Sequence, residues 1–436
     1  MTLSQNADHP ADPAQQHREV GFAIRSACWG SIPQVMVKDS SVIVIFAALI
    51  GASETVSVLC TSLQDLANCL LVLPFAWLST RLGCVRQIVL ASLCSVLALL
   101  AAAAAPWCGP AAGPVMMLAL ILFAVTLSAY VAAWFPLVDA VVPPGERGLF
   151  FGRMRFAWQL CATLFILASG WFVGKYATVP RLQIIIVLAA LVSLGRAWYI
   201  ARIRSAPMPD PRGLDLRTGV REALGNRPLT GFAIYLFFLY AAANATVPVV
   251  FVFARYHLKL PDNVIVILSA VGMGGLIAGF PLGGMFVHRC GVKGVFLGAH
   301  LGFALLNLTL LAVRDDSAGA IVLLGAVIAA YGFLFACASI AVSSELLALS
   351  PPGNKAVSLA FGSSLYSAGL GGSRALASVL LGSGILAETW SLGGTQLTRY
   401  HSLFLFFACG IFTAMLLLAI LPAMTRTAGH APAAPG

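Results

Sequence analysis

Four charged side chains stand inside long apolar segments of the sequence, where they could bind a solute or carry a proton. They are Lys38, Asp39, Asp65 and Arg374. An ionisable group near the middle of a bilayer costs about 2.5 to 3.5 kcal/mol on insertion scales, so it needs a partner or a water-filled cavity. We predict that Asp39 or Asp65 takes up a coupling proton. Lys38 or Arg374 would be its counter-ion, or would contact an anionic group of a substrate.

The alternative for these four residues is a static buried ion pair that fixes helix packing. Polar side chains at helical spacing favour a wet cavity instead, and they add Gln34, Asn68, Tyr240 and Asn244 to the candidate site. Gln34 precedes Lys38 by four residues, and Asn68 follows Asp65 by three, so each pair shares a helix face. We therefore expect these side chains to line the same cavity as the charges.

Composition requires that membrane helices position these residues. Of 436 residues, 60% are hydrophobic and 10% are charged, whereas a soluble domain carries about 25% charged residues. An ordinary soluble enzyme is thus excluded. Apolar runs of about 20 residues predict spans. An all-α integral membrane fold of twelve transmembrane helices is predicted, at 22–50, 54–79, 86–105, 112–137, 154–175, 182–203, 229–256, 262–287, 292–313, 318–344, 356–386 and 401–424.

The distribution of Lys and Arg orients the predicted helices. Most of the basic residues, Arg153 and Arg155 among them, fall on the side that holds both chain ends. Positive residues concentrate in cytoplasmic loops, so both termini are predicted to be cytoplasmic. We expect a multi-pass protein of a bacterial plasma (inner) membrane. The net charge of +10 is then an orientation signal and indicates no nucleic-acid partner.

The sequence contains an internal repeat. Pro143-Pro144-Gly145 recurs as Pro351-Pro352-Gly353, and Arg81 and Gly83 recur as Arg289 and Gly291, all 208 residues later. Asn244 is the counterpart of Gln34 at an offset of 210, so two amides could face each other across a pseudo-twofold axis. The predicted division is a polar tail 1–21, a six-helix bundle 22–203, a cytoplasmic loop 204–228, a second six-helix bundle 229–424 and a tail 425–436.

The chain resembles the major facilitator superfamily of secondary transporters over nearly its whole length. The family motif between helices 2 and 3 is matched by Arg81 and Gly83, and in the second half by Gly284, Arg289 and Gly291; the loop containing Arg147 resembles the family's loop between helices 4 and 5. The resemblance implies two pseudo-symmetric six-helix bundles and conformational roles for these loop residues. Thr80 and His288 replace the aspartate with which the family latches its halves.

The resulting prediction is a secondary active transporter of a small polar organic solute, proton-coupled and working by alternating access. The fifth helix lacks the glycine-proline pattern of the family's drug-proton antiporters, which favours uptake. Proton-driven efflux of amphipathic compounds, a membrane-embedded enzyme and a non-transporting scaffold are the alternatives. The expected partners are the solute, a proton or cation, and the bilayer, and the protein is expected to be a monomer without cofactor or metal.

Two packing predictions concern residues outside this site. Gly275, Gly279 and Gly283 form a small-residue seam that lets another helix approach closely. Arg196 is about seven residues from the end of its helix, so we expect its long side chain to reach toward the interface.

Overall fold

The computed structural model describes residues 13–143, 147–205, 216–350 and 355–420. Its helices are α1 (Pro13–Lys38), α2 (Val42–Leu49), α3 (Glu54–Leu82), α4 (Cys84–Ala104), α5 (Ala112–Val141), α6 (Arg147–Val173), α7 (Val179–Val192), α8 (Leu194–Ile200), α9 (Leu216–Gly225), α10 (Arg227–Ala243), α11 (Thr246–Val252), α12 (Asp262–Thr309), α13 (Ala318–Leu349), α14 (Lys355–Gly382) and α15 (Arg399–Ile420). Short turns of 3-10 helix, Ala105–Ala111 and Leu310–Ala312, and a π-helical turn, Phe253–His257, extend three of them.

The described helices are consistent with twelve crossings. Eight stretches are long and apolar enough to span a membrane, and the bent pair of α1 and α2 is a ninth. Two of the eight contain 58 and 51 residues, more than twice what one crossing needs. Each has a glycine with positive φ at its break, 57° at Gly109 and 69° at Gly291. Division at these glycines, together with the more polar α14, gives the predicted number.

The first predicted span is not continuous. It breaks after Lys38 and resumes at Val42 with a bend of 49° between α1 and α2. Serine side chains replace the missing helical bonds: Ser40 Oγ donates to Met36 O at 2.6 Å, and Ser41 N donates to Ser269 Oγ at 3.0 Å. Non-helical backbone at membrane depth is tolerated only where protein or a wet cavity satisfies it. No turn was predicted here, because the residues Asp39, Ser40 and Ser41 also fit the polar face of a helix.

Other boundaries differ from prediction at the membrane surfaces. Helix α1 begins at Pro13 and α6 at Arg147, so both extend beyond the predicted spans. The sixth predicted span is interrupted at Ser193. The helix α9 within the predicted loop 204–228 was not anticipated, nor was the antiparallel hairpin of β1 (Thr389–Leu392) and β2 (Thr395–Thr398).

Two helix pairs join the halves of the chain, α3 with α14 and α6 with α12. Within the second half, the predicted glycine seam is confirmed. A methyl group added at Gly279 would lie 2.5 Å from Phe333 O, and one at Gly283 would lie 2.9 Å from Cys337 Cα. The seam therefore packs α12 directly on the backbone of α13.

The two ends of the molecule differ in how the halves meet. We call the end that holds Pro13 and the linker before α9 the terminus side, and the end that holds the β-hairpin the hairpin side. One apolar core joins the first half to the hairpin-side portion of the second half; it includes Val42–Ala47 and Val249–Ala254. A second core, in the described part of the chain, contains only residues from Ala223 onward. The halves are thus fused at the hairpin side.

Candidate functional site: a charged cavity between the halves

The four predicted midplane charges form two ion pairs. Lys38 Nζ lies 2.7 Å from Asp65 Oδ1, and Arg374 Nη2 lies 3.2 Å from Asp39 Oδ1. The first pair joins α1 to α3 within one half, whereas the second joins the two halves. The side chain of Asp65 is 1% exposed and that of Asp39 is 39% exposed. Asp39 is therefore the carboxylate that water and solutes reach.

Arg374 inserts from α14 into the break between α1 and α2. Its Nη1 donates to Lys38 O at 2.9 Å and to Thr61 O at 2.7 Å, while Nη2 contacts Asp39. The break exposes Lys38 O, because no following helical turn supplies it with a donor. A guanidinium presents several donors in a fixed fork. The arrangement thus ties the second half to the broken helix at a single buried point.

A cavity surrounds this junction. It encloses about 740 Å³ of space, open solvent at its mouth included. One wall is polar and carries charge, and the facing wall from α11, α12 and α13 is mostly apolar and aromatic. The lining residues are Lys38, Asp39, Ser40, Thr61, Asn244, Val247, Pro248, Phe251, Ser269, Gly272, Met273, Leu276, Ile328, Tyr331, Gly332, Phe335 and Arg374. Such a site suits a small solute with both polar and apolar parts.

The structure brings only part of the predicted polar set to the cavity. Asn244 lines it, but its amide already donates to Leu370 O at 3.0 Å. Gln34 is half-buried on α1 and is not among the lining residues, so the two amides do not face each other across the cavity. Asn68 and Tyr240 also lie outside the lining, each with a buried oxygen that has no protein partner in the described chain.

The prediction for Arg196 was wrong. Arg196 is only 4% exposed, and its guanidinium stacks 3.8 Å from the ring centre of Tyr130 inside the first half. Gly30 makes room for it, because a Cβ at that position would clash with the guanidinium. The helix of Arg196 is interrupted at Ser193, whose carbonyl accepts a hydrogen bond from Arg196 N at 3.0 Å. A cation–π contact then replaces the interfacial water.

Sequence reasoning also missed Arg155, which it counted only among the basic residues on the side of the chain ends. Because α6 begins at Arg147, Arg155 lies about two turns inside the helix. Its Nη2 donates to Ser343 Oγ of α13 at 3.0 Å, and its guanidinium lies 5.7 Å from the ring centre of Phe280 of α12. The true start of α6 lies in the stretch that was assigned to a loop motif. Knowledge of that start is needed to place Arg155 between the halves.

The hairpin side carries a set of polar contacts between the halves. Glu54 of α3 accepts hydrogen bonds from Arg399 at 2.8 Å and from Tyr400 at 2.6 Å. Asp262, which forms an ion pair with Arg255 of its own half, accepts a hydrogen bond from Ala177 N of the first half at 2.8 Å. These and two further bonds, Tyr256 Oη to Ala52 O and Ser378 Oγ to Thr55 O, hold this end closed.

The predicted loop motifs lie on the terminus side. Gly83 and Gly291, 208 positions apart, have φ of 83° and 69° with extended ψ, so equivalent turns in the two halves use the same backbone conformation. Arg81 stacks 4.1 Å from the ring centre of Trp77, while Gly284 and Arg289 are exposed. Arg147 is the first residue of α6. The motif residues 144–146 and 351–354 lie outside the described chain.

Comparison with known proteins assigns this architecture. Residues 21–373 match the sequence profile of the Major Facilitator Superfamily, and the chain belongs to that family. Comparison with curated protein sequences finds no match.

Solved structures of the same fold are distant in sequence. A variant of the nucleoside transporter NupG is 13% identical, with 93% of this chain and 98% of that chain covered and a TM-score of 0.71. A D-xylose-proton symporter is 12% identical, with 92% and 97% covered and a TM-score of 0.68. The xylose transporter XylE from E. coli, partially occluded and inward open, is 11% identical, with 94% and 98% covered and a TM-score of 0.70.

The family match and these structures establish the class of the protein. It is a multi-pass membrane transporter and not an enzyme, as the sequence predicted. The cavity between its halves is where this fold places a transported solute.

Proposed function

We propose that the protein is a proton-coupled transporter that takes up a small polar organic solute by alternating access. The ion pair between Asp39 and Arg374 carries the proposal, because it is the one midplane pair of the described chain that joins the two halves. Protonation of Asp39 would remove the charge that holds Arg374 at the helix break. The halves could then part at the hairpin side, since Arg374 would lose one of its three bonds there.

The other pair has a different role in this proposal. Asp65 is 1% exposed and holds Lys38 at 2.7 Å within one half, so we assign it to positioning Lys38 at the cavity wall. Of the two carboxylates that the sequence left open, the proposal thus selects Asp39 for coupling. The absence of the antiporter pattern in α6 supports uptake over efflux, although the direction rests on that pattern alone.

The test is transport by purified protein in liposomes with and without a proton gradient. A panel of sugars, nucleosides, organic acids and amino acids identifies the solute. With Asp39→Asn we expect solute exchange to continue while stimulation by the proton gradient disappears. Asp316→Asn, in an exposed loop, is the matched control. Proton-driven accumulation by Asp39→Asn at the wild-type level would refute the coupling role.

The proposal also includes a location and an organisation. We place the protein in a bacterial inner membrane as a monomer, with both termini cytoplasmic, and we take 22–203 and 229–424 as the two moving bundles. The basic residues concentrated on the terminus side support this orientation. Reporter fusions at the two ends test it; an externally active reporter at either end would reverse the orientation.

A further inference from the structure

Arg155 is a cation between the halves that has no carboxylate partner among the described residues. The ion pairs of the described chain are Lys38–Asp65, Arg255–Asp262, Arg374–Asp39 and Arg399–Glu54, and Arg155 belongs to none of them. Glu345 lies two residues beyond the Ser343 that Arg155 contacts, a rotation of about 200° on the helix, and no ion pair joins it to Arg155. The guanidinium is therefore held in place but not neutralised.

The free part of this guanidinium is buried. Nη2 donates to Ser343, but Nη1 is buried without a hydrogen-bond partner among the described residues. Arg374 provides the contrast, because both of its terminal nitrogens are bonded to protein oxygens. A buried charged donor that lacks an acceptor is costly. A solute that reaches this nitrogen could supply the missing acceptor.

Unused acceptors lie on α3, the helix that packs against α14 between the halves. Asp65 Oδ2 and Asn68 Oδ1, three residues apart on that helix, are buried without protein partners in the described chain. A solute bound between the halves could donate hydrogen bonds to these oxygens.

We propose that Arg155 binds a carboxylate of the transported solute, so that the solute is a small organic acid. The inference rests on the proposed transport function and specifies its substrate class. Arginine binds carboxylates through two parallel N–H bonds, and Nη1 with the remaining hydrogen of Nη2 can supply them while Ser343 keeps its bond. Hydroxyl or amino groups of the solute would meet the unused oxygens near Asp65.

The test compares acids with their uncharged amides. Purified wild-type protein is titrated with hydroxy acids, keto acids and amino acids, each beside its amide, and binding is followed by thermal shift and calorimetry. A bond to a charged group is worth about 1.5 to 3 kcal/mol, so we expect the preferred acid to bind at least about tenfold more tightly than its amide. Arg155→Gln should lower that ratio to about one, because it weakens binding of the acid more than binding of the amide.

Two further variants keep the test decisive. Arg155→Lys keeps the charge and should retain part of the acid preference, and it serves if the glutamine variant does not fold. Arg153→Gln removes an exposed charge two residues away and should bind like wild type. A loss of acid and amide binding in equal proportion would mean that Arg155 only joins the helices. Absence of binding by every acid in the panel would also overturn the proposal.

The two proposals fail in different ways. Binding in detergent requires neither transport nor a proton gradient. Acid preference that depends on Arg155, together with undiminished proton-driven accumulation by Asp39→Asn, would refute the coupling proposal and leave this one standing. Loss of proton coupling in Asp39→Asn, together with no preference of the protein for acids, would refute the proposal for Arg155 and leave the coupling proposal standing.

Discussion

The hairpin side and the terminus side of the interface between the halves are closed by different kinds of contact. At the hairpin side an apolar core runs through both halves; beside it Glu54 pairs with Arg399, and Asp262 accepts a hydrogen bond from Ala177 N. At the terminus side, in the described chain, Arg155 reaches Ser343 and Ser364 Oγ donates to Cys69 O. The structure is therefore a state closed firmly at one end and weakly at the other.

This difference indicates which movement needs energy input. Opening the terminus side breaks few polar bonds, whereas opening the hairpin side exposes apolar surface and separates charges. Alternating access requires both states to be populated. The free energy of the hairpin-side contacts must then be close to the free energy that binding of solute and proton supplies. Substitutions at these contacts should therefore shift the balance between the two states most.

The largest effect is expected from Asp262→Ala. Asp262 is buried, and its loss leaves Arg255 unpaired and Ala177 N without its acceptor. Breaking a fully buried pair costs about 3 to 5 kcal/mol. Arg255 is 22% exposed, so we expect about 2 to 3 kcal/mol, measured as a lower unfolding temperature in detergent. Asp316→Ala is the exposed control, and equal stability of the two variants would contradict the prediction.

A side chain at Gly371 should have the next largest effect. A Cβ there would lie 2.9 Å from Leu66 N, so α14 would be pushed from α3 at the seam between the halves. Overpacking of this kind costs about 1 to 3 kcal/mol, and we expect Gly371→Leu to reduce solute transport about tenfold. Gly372→Leu is the matched control, because no atom lies within 4 Å of its Cβ position. Equal transport by both variants would show that the seam tolerates separation.

Glu54→Ala should loosen the hairpin side more gently. Glu54 and Arg399 are 20% and 29% exposed, and solvent screening limits such pairs to about 1 kcal/mol. We expect a cysteine introduced at Ser40 to react several-fold faster with an impermeant thiol reagent added from the hairpin side. Protein without the introduced cysteine provides the background from native cysteines. An unchanged rate would mean that the apolar core alone holds this end.

The smallest effect is expected from Asp315, in the loop before α13. Hydrogen bonds from the Ser317 hydroxyl and N–H lower the pKa of Asp315 below its ordinary value of 3.8. The stabilisation of the folded protein by these hydrogen bonds is therefore complete above the ordinary pKa of 3.8, and it is lost only as pH falls through the lower pKa of Asp315 in the folded state. Asp315→Asn should leave the pH profile of transport unchanged between about pH 5 and 8. A shifted profile would place a titrating group of the hairpin side in the coupling step.

The sequence predicted the features that depend on local pattern. The break at Gly291 lies at a glycine of the repeated motif, and the glycine seam of α12 packs as expected. It also found all four midplane charges, because an ionisable residue in an apolar run is conspicuous without any knowledge of the fold. Their pairing was beyond it, since Asp39 and Arg374 are 335 positions apart.

The residues that sequence reasoning misplaced are basic side chains close to a predicted helix end. Arg155 was counted on the side of the chain ends because the predicted helix began at residue 154, whereas α6 begins at Arg147. Arg196 was expected at the interface, but its guanidinium stacks on Tyr130 inside the first half. The location of a long basic side chain is hard to predict from sequence, because the length of the side chain is similar to the positional error of a predicted helix end.

Sequence alone determined that the protein spans a membrane and that motifs of its first half recur in its second. It also determined which charged residues have a high free energy in lipid unless they are paired or solvated. These follow from hydropathy, repeat spacing and the free energy of ionised groups in lipid, which are properties of the chain. Tertiary structure alone decided that Arg374 enters the broken first helix, that Asp39 faces the cavity while Asp65 is buried, and that Arg155 joins the halves. Those facts depend on contacts between residues hundreds of positions apart, and helix packing sets them.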